Sequence, residues 1–219
     1  MITASVGKNG INKPGDVKTI QQVINLRGSL RKDIPPLKVD GLIGRKTLAA
    51  ILQIQTDMMK DPDGRVDPFG YTIRKLWPVA FGHPTGLGIR GKDAYGSGQH
   101  GARRGHRTHD GTDYIVTPDQ KVKAPLSGRV VRISKPYSSG IDADLLSGVQ
   151  IWAADGTKCW VWYIKPSPNI VGQVVWAGMT VVGVAKTLKN RYKKGITDHV
   201  HVRIHSRDGS KINPASVIK

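Results

Sequence analysis

The chain has 219 residues, a formal net charge of +18 and a single cysteine, and its 16 acidic residues are all aspartate. One cysteine excludes an intramolecular disulfide framework and a zinc site made of several thiolates. The lack of glutamate excludes metallopeptidases of the H-E-x-x-H type, whose general base is a glutamate on the ligand helix. This length predicts one or two domains.

The charge predicts an anionic partner. A surplus of this size draws a protein to nucleic acid, to anionic membrane surfaces or to the bacterial wall. The sequence has no zinc finger, no aromatic RNA-binding signature and no long basic helix, so we expect no specific nucleic-acid partner. No stretch approaches the roughly 20 apolar residues of a membrane span. Residues 1–14 lack the apolar run of a standard secretion leader, so we expect a soluble chain exported by another route or after removal of a leader.

Residues 1–77 are predicted to form short helices joined by tight turns. Asp16 is a candidate N-cap, and apolar residues follow it at helical spacing. A Pro-Pro pair then interrupts the pattern. A second helix is predicted from Thr47 and a short third one over Tyr71–Trp77, with a loop rich in Asp, Pro and Gly between them.

The turn before the second predicted helix has the pattern D-G-x-x-G-x-x-T, and a glutamine lies near the end of that helix. The pattern is formed by Asp40, Gly41, Gly44, Thr47 and Gln55. At these residues the segment resembles the three-helix peptidoglycan-binding domain. The resemblance implies a module that binds bacterial peptidoglycan, with Asp40, Gly41 and Thr47 as substrate contacts. A helical spacer without a ligand is the alternative.

The sequence pattern changes after Trp77. Residues 82–112 are rich in Gly, Arg and His and are predicted to be loop. From Asp113 onward, short apolar runs of strand length alternate with Gly, Pro, Asn and Asp, which favours an antiparallel sheet or open barrel. The chain is therefore predicted to be α+β, with a helical domain over residues 1–77 and a β-rich domain over residues 78–219. The predicted strands cover residues 122–125, 128–133, 149–152, 158–164, 173–176, 180–184 and 199–204.

Two separated motifs contain residues that bind metals. The first is H-x-G-x-D, from His109 to Asp113, and the second is H-x-H, from His199 to His201. Imidazole and carboxylate are common zinc ligands, and three of them with an open fourth position are typical of a hydrolytic site. On the last predicted strand, His199, His201 and His205 lie on one face. Such a polar face needs partners, which predicts the floor of a cleft.

These motifs resemble the signature of the lysostaphin-type zinc metallopeptidase domain. The resemblance implies a β-sheet with a narrow groove and hydrolysis of peptide bonds in bacterial peptidoglycan. Carried onto the matching positions, it implies that His109, Asp113 and His201 bind one Zn2+ per chain. It also implies that His199 is the catalytic histidine that assists the attacking water.

Within this superfamily, residues 89–98, Tyr163–Pro166 and Asp198–His201 resemble the leukocyte-derived chemotaxin-like branch. The peptidases of the superfamily usually have Y-x-H where this chain has Tyr163-Ile164-Lys165. Lys165 can offer a positive charge and a hydrogen-bond donor to an oxyanion, but it cannot act as a neutral imidazole base. We therefore include Lys165 as a candidate catalytic residue.

Four further residues are candidates around this centre. His106 or His205 could replace the missing histidine, and the spacing does not choose between them. Tyr95 and Arg104, in the loop before the first motif, are candidate substrate contacts.

Three function classes remain. The first is a zinc endopeptidase that acts in the bacterial cell envelope, held on its polymer by the N-terminal module, because tethering raises the local concentration of substrate. The second is a catalytically silent zinc module that binds the wall or a protein, which Lys165 favours. The third is a nucleic-acid-binding protein that uses its charge. The first class suggests a phage lysin or an injected antibacterial effector, with an immunity or delivery protein as a further partner.

Overall fold

The computed structural model describes residues 1–28, 34–137, 146–192 and 195–219. The chain divides into two compact units. The first consists of Met1–Val79 with Ala153–Gly156, and the second of Ala80–Trp152 with Thr157–Lys219. None of the helices that the structure describes is long and apolar enough to cross a membrane.

The first unit contains helices and a short β-ribbon. Its helices are α1 (Pro14–Gly28), α2 (Arg45–Thr56) and α3 (Tyr71–Leu76), and the antiparallel ribbon pairs β1 (Val6–Gly7) with β2 (Arg65–Val66). Asp16 lies inside α1 rather than at the predicted N-cap position. Its buried carboxylate accepts hydrogen bonds from the hydroxyl of Thr3 (2.9 Å) and from the backbone N–H of Ala4 (3.0 Å). These hydrogen bonds therefore hold the N-terminal segment against α1.

A buried glutamine of α1 holds the D-G turn that precedes α2. Gln21 Nε2 donates to Asp40 Oδ1 (3.0 Å), and the Gly41 N–H donates to Gln21 Oε1 (2.9 Å). The Thr47 hydroxyl accepts a longer bond from the same amide group (3.4 Å). Gly41 has a φ of +83°, in the left-handed region that favours glycine. The D-G-x-x-G-x-x-T pattern therefore builds the entry to α2.

The same arrangement recurs between α2 and α3. Gln55 Nε2 donates to Asp63 Oδ1 (2.7 Å) and to the Thr72 hydroxyl (3.1 Å), and the Gly64 N–H donates to Gln55 Oε1 (2.7 Å). The Gln55 side chain is fully buried, where unmade hydrogen bonds are costly. We call each of these two arrangements a glutamine clamp, because an amide on one helix fixes the turn that begins the next.

The second unit begins with two ribbons of two-residue strands. β3 (Lys92–Asp93) pairs with β4 (Gly96–Ser97), and β5 (Arg103–Arg104) pairs with β6 (Arg107–Thr108). The prediction that residues 82–112 are loop is therefore incomplete. Strands this short contain no apolar run, so the sequence carries little signal for them.

In the described part of the second unit the main sheet has nine strands, and the predicted, mainly antiparallel β fold is confirmed. The strands are β7 (Thr112–Ile115), β8 (Lys121–Lys123), β9 (Gly128–Ser134), β10 (Ser147–Trp152), β11 (Lys158–Pro166), β12 (Val174–Val175), β13 (Val181–Ala185), β14 (His199–His205) and β15 (Lys211–Ile212), followed by a short helix, α4 (Pro214–Val217). β12, β9, β10, β11, β13 and β8 lie side by side in that order. β14 pairs with β11, β15 and β7. All of these pairs are antiparallel.

Strand β11 changes its partner in the middle of its length. Lys158–Trp162 pair with β14, whereas Ile164–Pro166 pair with β13. Tyr163 lies between the two halves, at a register shift opposite Ser147 and Gly148 of β10. Its φ of +70° is rare for a residue other than glycine. Tyr163 is therefore the extra residue of a β-bulge, which bends the strand and redirects side chains.

Strand β14 alternates between the core and the polar face, as the sequence predicts. Val200, Val202 and Ile204 are completely buried on the apolar side. His199 and His201 belong to the opposite face and are also buried, so they lie at the bottom of a cavity.

Candidate metal centre

Two of the predicted ligands lie side by side on neighbouring strands. His201 of β14 is directly opposite Asp113 of β7 on one side and opposite Trp162 of β11 on the other. The Trp162 ring stacks on the His201 imidazole, with ring centres 5.3 Å apart and planes 18° apart. His109 lies just before β7 and completes the group. Sheet pairing therefore brings together motifs that are far apart in the sequence.

Three ligand atoms of this group form a nearly equilateral triangle. His109 Nε2 lies 3.0 Å from His201 Nδ1 and 3.1 Å from Asp113 Oδ1, and His201 Nδ1 lies 2.9 Å from Asp113 Oδ1. Ligand atoms about 2.0–2.1 Å from a tetrahedral zinc ion are about 3.3 Å apart. Two imidazole nitrogens and one carboxylate oxygen at these distances fit a zinc ion with an open fourth position. We call His109, Asp113 and His201 the ligand triad.

A hydrogen bond orients His109 of the ligand triad, and a carboxylate faces the outer nitrogen of His201. His109 Nδ1 lies 2.9 Å from the carbonyl oxygen of Gln99. Because a carbonyl only accepts, Nδ1 carries the proton and Nε2 keeps its lone pair for a metal. His201 Nε2 faces Asp110 Oδ1 at 3.5 Å, beyond a good hydrogen bond. Asp110 Oδ2 in turn accepts a hydrogen bond from Arg203 Nη1 (3.0 Å). Sequence reasoning missed this contribution of Asp110.

Asp113 is fixed by a buried arginine that sequence reasoning also missed. Arg90 Nη2 donates to Asp113 Oδ2 (2.8 Å), while its Nη1 contacts Asp93 Oδ2 (2.6 Å) and donates to the carbonyl of Gly96 (2.7 Å). Arg90 thereby leaves Oδ1 of Asp113 facing the two histidines. Arg90 lies within the segment 89–98 that resembles the chemotaxin-like branch, but the resemblance gives it no role, because its contact with Asp113 depends on the tertiary fold.

The triad has the electrostatics of a cation site. Burial raises the pKa of Asp113, but the neighbouring His109 and His201 lower it by more, so the net shift is well below the usual range. Burial lowers the pKa of His201, but Asp110 and Asp113 raise it by more, and the net shift is upward. The site therefore favours positive charge at the position where the ligand atoms converge. A metal ion there would compete with the proton of His201.

His199 has the geometry of a general base. Its Nδ1 lies 2.7 Å from the carbonyl oxygen of Thr197, so Nδ1 carries the proton and Nε2 has a free lone pair. His199 Nε2 lies 3.6 Å from Asp113 Oδ2, beside the ligand triad. Burial is the main cause of a lowered pKa, which keeps the imidazole neutral.

The glycine of the first motif is required by a close approach of two strands. A Cβ atom at Gly111 would lie 2.4 Å from the carbonyl oxygen of Val202 and 2.5 Å from His201 Nε2. Gly111 has no positive φ, so no left-handed turn requires it, and it instead makes room for the His201 ring.

The triad lies in a cavity of about 590 Å3. Its wall is rich in cationic side chains and aromatic rings. It is lined by Arg90, Tyr95, Arg104, Arg107, Thr108, His109, Asp110, Asp113, Pro136, Tyr137, Trp162, Tyr163, Tyr192, Ile196, His199, His201, Arg203 and Lys211. The structure thus brings two predicted substrate contacts, Tyr95 and Arg104, to the cavity. Arg104 donates to the carbonyl oxygens of Tyr95 and Ser97 and lies 3.4 Å from Asp113 Oδ2.

Three other candidates are not brought to the cavity. Lys165 is exposed on β11, two residues beyond the Tyr163 bulge, and pairs with Val184 of β13. Neither Lys165 nor His106 nor His205 belongs to the cavity wall in the described part of the chain. His205 instead packs edge-on against Trp160.

The remaining predicted substrate contacts lie in the first unit. The Asp40 carboxylate, the Gly41 N–H and the Thr47 hydroxyl all bond with Gln21 in the first glutamine clamp. This gives them a role in building the turn. Their contact with a wall polymer stays a prediction.

Comparison with known proteins identifies relatives of part of the chain. No protein-family model matches it. The chain is 32% identical over 114 residues to leukocyte cell-derived chemotaxin-2 of Mus musculus, across 52% of this chain and 71% of that protein. A solved zinc-containing peptidase from Vibrio cholerae is similar with a TM-score of 0.46 and 20% identity, over 64% of this chain and 40% of that one. Lysostaphin is similar with a TM-score of 0.40 and 22% identity, over 55% of this chain and 46% of that one.

The chain therefore spans less than half of each of these two solved chains. The chemotaxin-2 alignment, in contrast, covers more than two thirds of that relative. With this alignment and the H-x-G-x-D and H-x-H motifs gathered at one site, the chain belongs to the lysostaphin-type metallopeptidase family, in the branch of leukocyte cell-derived chemotaxin-2.

Proposed function

We propose that this protein is a zinc-dependent endopeptidase that hydrolyses peptide bonds in bacterial peptidoglycan. The observation that carries the proposal is the ligand triad with a neutral histidine beside it. His109 Nε2, Asp113 Oδ1 and His201 Nδ1 lie 2.9–3.1 Å apart, and His199 Nε2 is within 3.6 Å of Asp113. Hydrolysis needs this combination of a cation site and a nearby proton acceptor.

Different residues of the protein have different roles in hydrolysis. Zinc, when bound by His109, Asp113 and His201, supplies Lewis acidity toward the water and the scissile carbonyl. His199 Nε2 takes a proton from the attacking water as the new C–O bond forms. The same nitrogen returns that proton to the leaving amine as the C–N bond breaks. Arg90 keeps the Asp113 carboxylate in position through its 2.8 Å hydrogen bond.

The charge of the cavity supports an anionic peptide as the substrate. Among the described residues, the wall contains five cationic side chains but only two carboxylates, Asp110 and Asp113. Peptide stems of the bacterial wall carry free carboxylates, and a cavity with surplus positive charge attracts and orients such groups. The net charge of +18 acts in the same direction over a longer range.

The first unit is proposed to hold the enzyme on the wall as a peptidoglycan-binding domain. A cleft of about 310 Å3 in this unit is lined by the segment Ile34–Leu37 and by one side of α2, including Lys46 and Gln53. An apolar cleft with a few polar groups at its edge suits part of a peptide or sugar. On this proposal the protein acts in the bacterial envelope, as a lysin or a secreted antibacterial effector, with an immunity or delivery protein as a further partner.

The test is hydrolysis of purified peptidoglycan by the protein loaded with zinc, by the chelated protein and by two variants. We expect the loaded protein to release soluble muropeptides and the chelated protein to release none. His199→Ala should retain zinc but lose activity, whereas His109→Ala should lose both. Full zinc occupancy in His109→Ala would overturn the ligand assignment.

A second candidate function is a zinc module that binds the wall without cutting it. The observation that favours it is Lys165, which stands where the peptidases of the family usually have the histidine of Y-x-H and does not line the described cavity wall. Retention on the wall with zinc bound, together with no cleavage of any wall type or cross-linked muropeptide, would establish the silent module.

A further inference from the structure

One side of the cavity carries three tyrosines that the proposed mechanism does not use. Tyr137 follows β9, Tyr163 forms the bulge of β11, and Tyr192 follows β13. The Tyr137 hydroxyl lies 3.2 Å from that of Tyr163 and 2.5 Å from that of Tyr192. Three separate segments of the polypeptide therefore place their phenol groups in one hydrogen-bonded series, which we call the tyrosine chain.

Tyr163 places this chain beside the reaction centre. Its ring meets the His199 imidazole edge-on, with centres 5.4 Å apart, and lies 6.5 Å from the His201 ring. The bulge holds Tyr163 at a φ of +70°, a conformation that is unfavourable for a large side chain. Strained backbone of this kind occurs preferentially at functional sites, where it directs a side chain.

The tyrosine chain has a spare hydrogen-bond donor. Its three hydroxyls carry three protons at neutral pH, and the two links between them use two protons. One O–H group is therefore left to donate to an acceptor other than these three tyrosines. Burial is the main cause that raises the pKa of Tyr137, to about 12, which favours the protonated hydroxyl that a donor needs.

We propose that the tyrosine chain, through the hydroxyl of Tyr163, donates a hydrogen bond to the anionic oxygen of the tetrahedral species formed in peptide hydrolysis. This inference rests on the proposed function and gives Tyr163 the task for which the sequence suggested Lys165. A neutral O–H donor that is already in position stabilises the negative charge that develops on this oxygen. Tyr137 and Tyr192 are positioning residues, because they act through Tyr163.

A purely structural role is the competing explanation. The three rings pack against a small apolar cluster of Leu146, Leu188 and Ile196. Packing alone would need the rings and not the hydroxyls, so Tyr163→Phe separates the two explanations. The rings remain in this variant while the donor is lost.

The experiment compares zinc-loaded wild type, Tyr163→Phe and Lys165→Met on a soluble cross-linked muropeptide. We expect Tyr163→Phe to lower kcat by about 100- to 1000-fold, the usual effect of removing one oxyanion donor. Its KM, zinc content and melting temperature should be unchanged. Lys165→Met should keep kcat within about threefold, since its side chain does not line the cavity. Unchanged kcat in Tyr163→Phe, or a similar loss in Lys165→Met, would overturn the proposal.

A binding measurement separates this inference from the proposed function. Calorimetry with a phosphinic pseudopeptide, whose tetrahedral oxyanion replaces the reacting carbonyl, needs no turnover. We expect Tyr163→Phe to weaken its binding by about 10- to 100-fold, as for other hydrogen bonds to charged groups. If wild type cleaves no substrate, the proposed function fails, and this ratio still decides whether Tyr163 contacts the oxyanion. Equal binding by wild type and Tyr163→Phe would exclude that contact.

Discussion

Arg90 Nη2 lies 2.8 Å from Asp113 Oδ2, and both side chains are only 2% exposed. The pair joins the loop before β3 to the central carboxylate of the ligand triad. Outer residues of this kind orient metal ligands, and their loss typically costs about 10- to 100-fold in metal affinity. Removing one partner of a buried ion pair leaves the other charge uncompensated, which destabilises the fold by about 3–5 kcal/mol.

We therefore expect Arg90→Gln to bind zinc about 10- to 100-fold more weakly than wild type. Competition with a zinc-sensitive dye measures this, and urea unfolding of the chelated protein measures stability. Arg65→Gln is the matched control, because the Arg65–Asp67 pair is exposed and such pairs contribute about 1 kcal/mol or less. If both variants bind zinc as tightly as wild type, Arg90 does not position Asp113.

A methyl group at Gly111 is expected to disrupt the ligand triad. Its Cβ atom would lie 2.5 Å from His201 Nε2 and 2.4 Å from a backbone carbonyl of β14, so the imidazole must move. Gly111→Ala should therefore lose at least about tenfold in zinc affinity, because one of the three ligands is displaced. Gly91→Ala is the control, since its Cβ would meet no atom within 4 Å. Isothermal titration with zinc compares them, and equal affinities would contradict the steric argument.

The cationic side of the cavity is expected to select substrates with free carboxylates. Arg107 and Lys211 are exposed and line the cavity, so they can meet an anionic group from solvent. Changing both to glutamine should raise KM for a carboxylate-bearing muropeptide by about 3- to 10-fold and leave kcat unchanged. The amidated form of the same substrate should show no such change. Lys121→Gln, on β8 away from the cavity wall, is the control.

The glutamine clamps are expected to stabilise the first unit. Gln55 is fully buried and makes bonds to Asp63, Gly64 and Thr72, so Gln55→Ala removes the partner of two buried groups, the Gly64 N–H and the Thr72 hydroxyl. We expect a loss of about 2–4 kcal/mol in the free energy of unfolding, measured with urea. Gln53→Ala, two residues earlier on the exposed side of α2, should change it by less than about 0.5 kcal/mol. Similar losses in both variants would contradict the clamp.

The sequence alone predicts those parts of the fold that a local pattern of residues determines. The alternation of Val200, Val202 and Ile204 with histidines predicts both faces of β14, because side chains in a strand alternate with period two. The bulge at Tyr163 could not be predicted in this way. It depends on how β11 passes from β14 to β13, and the run from Lys158 to Ile164 reads as one continuous strand.

The same limit applies to the candidate site. The histidines and Asp113 stand out because their spacing matches known motifs. The Arg90–Asp113 pair and the hydrogen bonds between the three tyrosines cannot be predicted in this way, because charges and hydroxyls from separate segments meet only in the folded protein. Lys165 lies beyond the bulge, where β11 pairs with β13 rather than with β14, and this change of partner strand could not be predicted from its position in the sequence.

Two different pH dependences are expected at the site. The neutral form of His199 accepts the proton, and burial lowers its pKa, so at saturating zinc the acid limb of kcat/KM should lie below the value of about 6.5 usual for histidine. The pKa of His201 is shifted in the opposite direction in the metal-free site, mainly by Asp110 and Asp113 against the effect of burial. A proton on His201 therefore competes with zinc already above pH 6.5, and zinc affinity should decrease as the pH falls through that range.

The two effects are separated by measuring zinc affinity and kcat/KM at each pH from 5 to 8. With zinc in excess, loss of activity should occur at a lower pH than the loss of affinity. The position of the acid limb in excess zinc should also be independent of the zinc concentration, since it belongs to His199. An acid limb above pH 6.5 that moves with added zinc would mean that metal loss controls activity, and the role of His199 as the general base would then lack support from the pH profile.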